Sequence, residues 1–441
     1  MTSVIIGAGL AGLSAAHHLG KDWIIFEKAS KVGGLASSDR EGGFTFDKTG
    51  HLLHMHHAYT KAWLIEGLLQ GRLAEHQRNT WIFSKDIFTR YPFQANTYGL
   101  PDKVIVDCVV SFLKTRDRIT GASKNPNFHR WNLETFGPGI SRHFMFPYNL
   151  KLWRTPLEKI TTEWIRNFVP IPSREEVLYG ALTDQKKFFG YNASFFYPRE
   201  GGIQMLPDAL AGQLAGSEIY LNSEILKINW KKKEVVTARG KFSYDWLINT
   251  SPLDEFLDRL EPCLAGEFGA SARRKALRYT VVYNLNLGLT NPRPSLKHWV
   301  YFPEKKHRFY RIGTPTNFAS SLAPEGCSAF YVEFAGLEGE SFNYQKMLDH
   351  TLAAMRAFGW MRPRDEVAVA RWNRISPAYV VFTKERRDFL PKIFELLKKR
   401  QILSIGRYGA WKYSFMEECL LDGKSAAEQI LLEGGKGKSG A

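Results

Sequence analysis

The first thirty residues carry an apolar pattern that predicts a strand, a helix and a second strand. Ser3 to Ile6 is a short apolar run, which is typical of a buried strand. A helix rich in small residues is predicted over Leu13 to Leu19. The apolar run DWIIFE predicts a second strand, which ends at Glu27. This order is that of an α/β nucleotide-binding unit.

The rest of the chain shows three further patterns. Residues 100–121 have the spacing of an amphipathic helix and open a helical region that extends to about residue 190. Residues 219–252 alternate as β sequence and end in a strand before a loop. Residues 275–385 hold segments such as TVVYNLNLGL and SAFYVEF, which predict a sheet. Near the C-terminus we expect a buried strand at Ile402 to Ile405 and a helix that begins near Leu421.

The turn after the first strand has the spacing G-x-G-x-x-G, formed by Gly7, Gly9 and Gly12. The first glycine permits a tight turn, the second lets a pyrophosphate approach the backbone, and the third lets the helix pack closely. The helix N-terminus then faces the phosphates with its partial positive charge. Glu27, 20 residues after Gly7, lies where a carboxylate binds a ribose hydroxyl. Together these features predict a dinucleotide site, without separating NAD from FAD.

Composition narrows the class of protein. The chain has 441 residues and a net charge of +16, from 60 Lys+Arg against 44 Asp+Glu, which favours an anionic ligand. The basic residues are dispersed and no nucleic-acid motif accompanies them, so we expect no nucleic-acid partner. No window has the roughly 18 apolar residues of a membrane span, so we expect no transmembrane segment. Four cysteines without CxxC spacing, and no secretion signal, indicate the cytoplasm.

Four histidines fall within seven positions of GHLLHMHHAY: His51, His54, His56 and His57. A metal site needs a carboxylate or thiolate companion and outer ligands, and none is evident nearby. We therefore predict no metal, which leaves a catalytic role or ordinary packing for these residues.

The segments GAGLAGLSAAHHL and FEKASKVGGLASS resemble the FAD-binding N-terminus of the superfamily of amine oxidases, protoporphyrinogen oxidases, phytoene desaturases and UDP-galactopyranose mutases. In that superfamily a second glycine pair, here Gly33 and Gly34, lies along the FAD. Two adjacent glycines let the backbone pass close to a cofactor without side-chain collision. The resemblance therefore implies FAD.

Further stretches resemble the UDP-galactopyranose mutase family, especially its eukaryotic-type branch. They are GGLASSDREGGFTFDKTGHLLH, RYPFQAN, FPYNLKLWRTP, NASFFYPREGG, HWVYFPEKKHRFYR and GRYGAWKYSF. The resemblance extends from residue 3 to about residue 430, which is nearly the whole chain. It implies an α/β fold: a Rossmann-like FAD-binding domain with an inserted helical region and a mixed β-sheet substrate domain.

By this resemblance the domains interleave in the sequence. We expect an FAD-binding domain built from residues 1–90, 195–255 and 400–432, a helical substrate- and uridine-binding region at 91–194, a β-sheet substrate domain at 256–399, and a disordered tail at 433–441.

The resemblance also implies which residues contact FAD. They are Gly7, Gly9, Gly12, Glu27, Gly34, Leu35, His51, Arg78 and Arg407. His51 would lie beside the reactive edge of the flavin ring, with His54, His56 and His57 as packing or surface neighbours. Amides at the start of the C-terminal helix would face a flavin carbonyl.

The implied reaction interconverts the pyranose and furanose forms of UDP-galactose or a related sugar. FAD is active in its reduced form, with NADPH or NADH as the expected reductant, and acts through an adduct between flavin N5 and the sugar. The implied catalytic residues are His51, Arg311, Tyr379 and Tyr413, of which the last three clamp the diphosphate. The implied substrate-binding residues are Tyr91, Phe93, Gln94, Asn149, Trp153, Arg166, Asn192, Tyr301, Arg311, Tyr379 and Tyr413. Gln94, with Tyr91 and Phe93, would bind the uracil.

Two positions depart from the family pattern. Phe168 stands where the family has a second diphosphate arginine, and Phe318 stands where it has a tyrosine that touches the diphosphate. Arg166 either replaces the arginine or points elsewhere. The loss of both donors would cost several kcal/mol of binding free energy, at roughly 1.5–3 kcal/mol for each charge-assisted bond. The ligand is therefore either UDP-galactopyranose or another anionic small molecule.

Two other functions remain open. An oxidase or dehydrogenase of the protoporphyrinogen oxidase or amine oxidase type would act on a hydrophobic substrate, and the amphipathic helix at 100–121 would then dock on a membrane. A non-catalytic FAD-containing scaffold is the third alternative. The oligomeric state does not follow from the sequence.

Overall fold

The structure is a computed structural model. It describes residues 2–117, 123–165, 168–190, 193–214, 218–292 and 294–436.

Three distant parts of the chain form one parallel five-stranded sheet, in the order β20-β13-β1-β2-β9. Its strands are β1 (Ser3–Ile6), β2 (Trp23–Phe26), β9 (Glu218–Tyr220), β13 (Trp246–Asn249) and β20 (Ile402–Ser404). Helix α1 (Leu10–Leu19) follows β1 directly and is almost wholly buried. The predicted strand–helix–strand unit is therefore present, and its sheet is completed by strands from residues 218–249 and 402–404.

The last helix, α13 (Met416–Lys436), packs against α1. A Cβ atom at Gly423 would collide with the carbonyl oxygen of Ala11 and would lie 2.7 Å from the nitrogen of Ala15. Only glycine permits this approach. The helix begins five residues before Leu421, where the sequence predicted its start, because Glu417 and Glu418 supply acidic residues to an earlier first turn. It also continues to Lys436, within the segment 433–441 that was expected to be a tail, and residues 437–441 lie outside the described residues.

Smaller elements extend this part of the molecule. A four-stranded sheet has the order β12-β11-β10-β14, with β10 (Ile225–Asn229), β11 (Glu234–Thr237), β12 (Gly240–Ser243) and β14 (Leu260–Glu261). Two further antiparallel pairs are the hairpin of β3 (Ser38–Glu41) with β4 (Phe44–Asp47), and the long-range pair of β5 (Leu73–Gln77) with β8 (Ser194–Pro198).

A helical region occupies residues 102–182, as the amphipathic spacing of residues 100–121 predicted. Its helices are α3 (Asp102–Asp117), α4 (Phe128–Ile140, continued as a π-helix over Ser141–Met145), α5 (Phe146–Trp153) and α6 (Arg174–Leu182). Helix α2 (Ala58–Thr60, continued as a π-helix over Lys61–Leu68) precedes this region and contacts α13. The remaining helices are α7 (Met205–Gly212), α8 (Leu253–Asp258), α9 (Ala270–Ala276), α10 (Tyr344–Ala357), α11 (Lys384–Lys398) and α12 (Gly406–Gly409). Short 3₁₀ turns lie at Phe93–Ala95, Leu157–Lys159, Gly266–Phe268, Pro315–Asn317 and Ser320–Leu322.

A seven-stranded mixed sheet, in the order β19-β15-β18-β17-β16-β6-β7, forms the other half of the molecule. Its strands are β6 (Thr80–Ser84), β7 (Ile87–Arg90), β15 (Tyr279–Leu289), β16 (Trp299–Tyr301), β17 (Arg311–Gly313), β18 (Ser328–Gly336) and β19 (Val367–Val380). The predicted FAD-binding segment ended at residue 90, but β6 pairs with β16, so residues 80–90 belong to this sheet. Local sequence does not reveal this pairing because the partner lies more than 200 residues away.

Within the described ranges, none of the helices has both the length and the apolar character needed to cross a bilayer.

The close contact between α1 and α13 leads to a stability prediction. We expect Gly423→Ala to lower the free energy of unfolding by about 1–3 kcal/mol, because the added methyl group forces the two helices apart. Gly212→Ala is the matched control, since a Cβ atom at that helical glycine meets nothing within 4 Å. The control should be neutral or more stable by about 0.5–1 kcal/mol. Urea unfolding of the three proteins measures both effects, and equal midpoints for the two variants would contradict the prediction.

Candidate active site

A cavity of about 830 Å³ lies where the parallel sheet, the helical region and the seven-stranded sheet meet. The glycine-rich turn after β1 lines one end of it, and residues of α5, β16, β17 and β19 line the other. A cavity of this size, formed where several structural layers meet, is the usual setting of a cofactor or small-molecule site.

The glycine-rich turn has the geometry of a dinucleotide-binding loop. Gly7 has a φ of +99°, which favours glycine. A Cβ atom at Gly12 would collide with the carbonyl oxygen of Gly7, whereas one at Gly9 meets nothing within 4 Å. Gly12 therefore serves helix packing, and Gly9 leaves the backbone open to the cavity for a pyrophosphate group.

Glu27 and the second glycine pair complete this end of the cavity. The Glu27 carboxylate accepts hydrogen bonds from the N–H groups of Ala8 (2.7 Å) and Ala29 (2.8 Å), and the residue lines the cavity. Gly33 donates its N–H to the Ala8 carbonyl oxygen at 2.8 Å, so the glycine pair passes directly beside the turn. Gly34 and the adjacent Leu35 also line the cavity. The residues present therefore fit a dinucleotide at this end.

The C-terminal segment brings Arg407 to the cavity wall. Its guanidinium donates to the carbonyl oxygens of Ser414 (2.8 Å) and Ala378 (3.1 Å). It also lies 5.0 Å from the ring centroid of Tyr413. Arg407 thus holds the loop after β20 against the end of β19 and presents a positive charge to the cavity.

The four clustered histidines divide into two pairs. His51 and His54 line the cavity. The backbone N–H groups of His56 and His57 instead donate to the Glu417 carboxylate, each at 2.8 Å, and anchor the loop to α13. Among the described residues, no group of three or more His, Cys, Asp or Glu side chains is arranged to hold a metal ion.

His51 is neutral at physiological pH. Burial lowers the pKa of its imidazole to about 4, and the positive charges of Arg407 and Arg311 act in the same direction. Thr49 Oγ1 lies 3.5 Å from His51 Nδ1. A neutral imidazole in this position offers one donor and one acceptor rather than a positive charge.

A row of polar side chains crosses five strands of the seven-stranded sheet. In strand order, the cross-strand partners are Asn373, Asn284, Glu333, Arg311 and Tyr301. Partners at one register point to the same face of a sheet. Four of the five line the cavity, with Asn284 fully buried beneath them.

Arg311 and Glu333 form a bidentate ion pair within this row. Arg311 Nε donates to Oε2 of Glu333 at 2.8 Å, and Nη2 donates to Oε1 at 2.6 Å. Glu333 is only 1% exposed. Burial works against the guanidinium charge, but Glu333 more than offsets it, so the pKa of Arg311 lies above its ordinary value. The pair keeps Arg311 charged and rigid at the cavity wall.

Phenol groups are the main polar feature of the wall. The tyrosines that line the cavity are Tyr91, Tyr148, Tyr301, Tyr310, Tyr379, Tyr408 and Tyr413. Burial raises the pKa of Tyr91 to about 12 and raises the pKa values of Tyr379 and Tyr413 as well. These hydroxyls therefore stay protonated and act as hydrogen-bond donors at neutral pH.

The helical region supplies the opposite wall, which includes Tyr91, Gln94, Asn149 and Trp153. Gln94 donates its side-chain N–H to the Pro170 carbonyl oxygen at 2.8 Å. Asn149 Nδ2 donates to the Met145 carbonyl oxygen (2.8 Å), and Asn149 Oδ1 accepts from the Trp153 indole (3.1 Å). These internal bonds fix the orientation of both carboxamides.

Several residues expected in the site lie elsewhere. Phe93 is fully buried and stacks on Phe144, which lines the cavity in its place. Arg78 lies behind Tyr91, 4.3 Å from its ring centroid, and donates to the Phe189 carbonyl oxygen. Arg166 and Asn192 fall outside the described residues.

The two phenylalanines that depart from the family pattern differ in position. Phe168 does line the cavity, with its ring centroid 4.5 Å from that of Tyr413 and 4.8 Å from that of Phe415. Phe318 was expected to face the diphosphate. It instead packs in an aromatic cluster with Phe195 and Tyr197, because the chain turns away after β17. The loss of a hydroxyl at Phe318 therefore removes nothing from the cavity.

Sequence reasoning missed Glu333, Tyr148, Tyr310 and Phe144. Glu333 had a signal, since it is the one acidic residue in the otherwise apolar strand SAFYVEFAG. A carboxylate in a buried strand needs a charged partner. The three aromatic residues gave no signal that separates them from core positions.

The family described as flavin containing amine oxidoreductase matches residues 10–431. A crystal structure of reduced UDP-galactopyranose mutase is 28% identical, covers 98% of this chain and 95% of its own, and superposes with a TM-score of 0.90.

Two other solved structures share the fold at lower identity. A putative protoporphyrinogen oxidase from an Exiguobacterium species is 15% identical, with 98% and 99% of the two chains covered and a TM-score of 0.73. A putrescine oxidase bound to putrescine is 14% identical, with the same coverage and a TM-score of 0.66.

The family match spans most of the chain, and the glycine-rich turn, Glu27 and the second glycine pair suit its cofactor. The chain therefore belongs to the flavin-containing amine oxidoreductases, as a UDP-galactopyranose mutase-like, FAD-dependent enzyme.

Proposed function

We propose that this protein interconverts the pyranose and furanose forms of a nucleotide sugar, with UDP-galactose as the first candidate. The observation that carries the proposal is a single cavity that joins the dinucleotide loop to an arginine–tyrosine cluster with a carboxamide nearby. The 28% identity to a UDP-galactopyranose mutase over nearly the whole chain supports the same reaction.

The cofactor would be held by Gly7, Gly9, Glu27, Gly34 and Arg407. When bound and reduced, FAD supplies a nucleophile toward the anomeric carbon, so that isomerisation needs no net oxidation. The reductant in this proposal is NADPH or NADH. The cysteines are free, which is consistent with a cytoplasmic location.

The diphosphate would bind at the arginine–tyrosine cluster. Glu333 uses Nε and Nη2 of Arg311, which leaves Nη1 to donate to a phosphate oxygen. Tyr379 and Tyr413 add protonated hydroxyls, and Arg407 adds a second positive charge. Leaving-group departure at the anomeric carbon builds negative charge on the diphosphate, which these donors stabilise.

The base would bind between Tyr91 and Phe144, beside Gln94. A carboxamide with donor and acceptor atoms matches the polar edge of uracil, and flat aromatic walls suit its ring. Trp153, Phe168 and Tyr413 would cover the sugar and exclude water, which protects the glycosyl centre from hydrolysis.

Turnover under anaerobic conditions tests the reaction itself. We expect the dithionite-reduced protein to convert UDP-galactopyranose to UDP-galactofuranose, and the oxidised protein to give no product, because the reaction needs a reduced flavin. Chromatography of the nucleotide sugars measures both. No product from a folded, FAD-loaded, reduced protein contradicts the proposal. Oxygen uptake with a hydrophobic amine or porphyrinogen would then favour the oxidase alternative.

Separate variants of the Arg311–Glu333 pair distinguish binding from stability. Arg311→Ala should weaken UDP binding and also destabilise the fold by about 3–5 kcal/mol, because it leaves a buried carboxylate without a partner. The double variant Arg311→Met with Glu333→Gln removes both charges, so we expect stability to recover while UDP binding stays weak. Calorimetry with UDP and urea unfolding measure the two quantities. Wild-type UDP affinity in the double variant would contradict the clamp role of Arg311.

The ionisation of His51 gives a third test. Because burial lowers its pKa to about 4, the imidazole should stay neutral from about pH 5.5 to 8. ¹⁵N-histidine NMR of the FAD-bound protein, with His51→Gln to assign the signal, measures the titration directly. A midpoint near the ordinary histidine value of about 6.5 would show that His51 carries a charge near neutral pH and would contradict this assignment.

A further inference from the structure

Lys151, on α5, makes an unusual set of contacts. Its ammonium group donates to the carbonyl oxygens of Phe302 (2.6 Å), Glu304 (2.7 Å), His307 (2.8 Å) and Phe309 (3.2 Å). All four acceptors are backbone groups from one short segment. A single side chain thus organises a whole loop.

That loop, residues 302–310, connects β16 to β17. Four carbonyl dipoles that converge on one point repel each other unless a cation lies between them, and a buried carbonyl without a donor is costly. An ammonium group offers three protons, which these four acceptors share, and the contact to Phe309 is the longest of the four at 3.2 Å. The conformation of the loop therefore depends on the charge that α5 inserts into it.

Both ends of this contact belong to the cavity wall. The loop begins immediately after Tyr301 and ends immediately before Arg311, and both residues line the cavity. On the other side, α5 carries Asn149 and Trp153, which line it too. Lys151 connects the helical wall to the sheet wall through hydrogen bonds, beside the ring of Tyr148, which packs on Tyr301 at a centroid distance of 5.3 Å.

The other ionic contacts of the loop lie on its outer side. Lys85 Nζ pairs with Glu304 at 2.9 Å, and these side chains are 39% and 18% exposed, so water reaches the pair from the lysine side. Lys306 pairs with Asp86, and these side chains are 44% and 75% exposed. Exposed ion pairs contribute little because water and salt screen them. They do not replace the internal contact.

We propose that Lys151 is a positioning residue, which holds the 302–310 loop so that Tyr301 and Arg311 face Asn149 across the cavity. It touches no ligand and acts through the loop. The effect of Lys151 on UDP affinity rests on the proposed nucleotide-sugar function, whereas its effect on the order of the 302–310 loop does not.

Lys151→Met tests the role, because methionine fills a similar volume without a donor. Lys85→Met is the matched control, since it removes a contact to the same loop from outside. The FAD-bound proteins are measured at about pH 6, where Lys151 is charged. Burial lowers the pKa of its ammonium group to about 7, and the nearby Glu304 carboxylate opposes part of this shift.

We expect Lys151→Met to retain FAD, to exchange the amides of Phe302 and Tyr310 faster, and to bind UDP about 10-fold more weakly or worse. Those amides donate to Tyr310 and Glu333 carbonyl oxygens in the structure, each at 2.9 Å, so they report loop order. In Lys85→Met, the exchange rates of these two amides and the affinity for UDP should both stay within about twofold of wild type. A role in packing alone would leave UDP affinity and local exchange unchanged in the methionine variant, and that result overturns the proposal.

The outcomes separate the two proposals. A wild-type protein that fails to bind UDP contradicts the proposed function, and the exchange rates alone then decide the role of Lys151. If Lys151→Met does not fold, Lys151→Gln, which keeps two N–H donors, takes its place. Faster exchange of the two amides in that variant supports the proposal, and wild-type exchange overturns it.

Discussion

The buried ion pair between Arg311 and Glu333 is the constraint on which the architecture of the cavity depends. A carboxylate that is 1% exposed is tolerated only with a charged partner in good geometry. That partner comes from the neighbouring strand at the same register, so a one-residue slip between β17 and β18 would separate the two groups and leave their side chains on opposite faces of the sheet. Electrostatics therefore fixes the alignment of β17 with β18, the two strands that bring Arg311 and Glu333 to the cavity.

The parts of the fold that were predictable from the sequence are those whose chemistry is local. Gly7, Gly9, Gly12 and Glu27 lie within 21 consecutive residues, and their spacing alone requires a turn, a close helix and a ribose contact. The resemblance to known flavoproteins then indicated residues such as His51 and Arg407, and both line the cavity.

The rest depends on pairings between distant segments, which spacing along the chain does not reveal. Phe318 was placed at the diphosphate by the resemblance to the mutase family, but β17 ends at Gly313 and a 3₁₀ turn sends the ring into a different cluster. Phe93 was placed at the cavity by the same resemblance, together with Tyr91 and Gln94. In the 3₁₀ turn that holds both, the phenylalanine points into the core behind Phe144. Glu333 acquired a role only when its cross-strand neighbour was known.

The pairing of β20 with β13 has a consequence for folding during synthesis. The parallel sheet that carries the glycine-rich turn takes its edge strand from residues 402–404, and α13 covers α1 from residues 416–436. Neither segment has been translated when the first strands leave the ribosome. The parallel sheet and the cover of α1 are therefore completed only once residues 402–436 have been made, so the nucleotide-binding half finishes folding late although its first strand is made early.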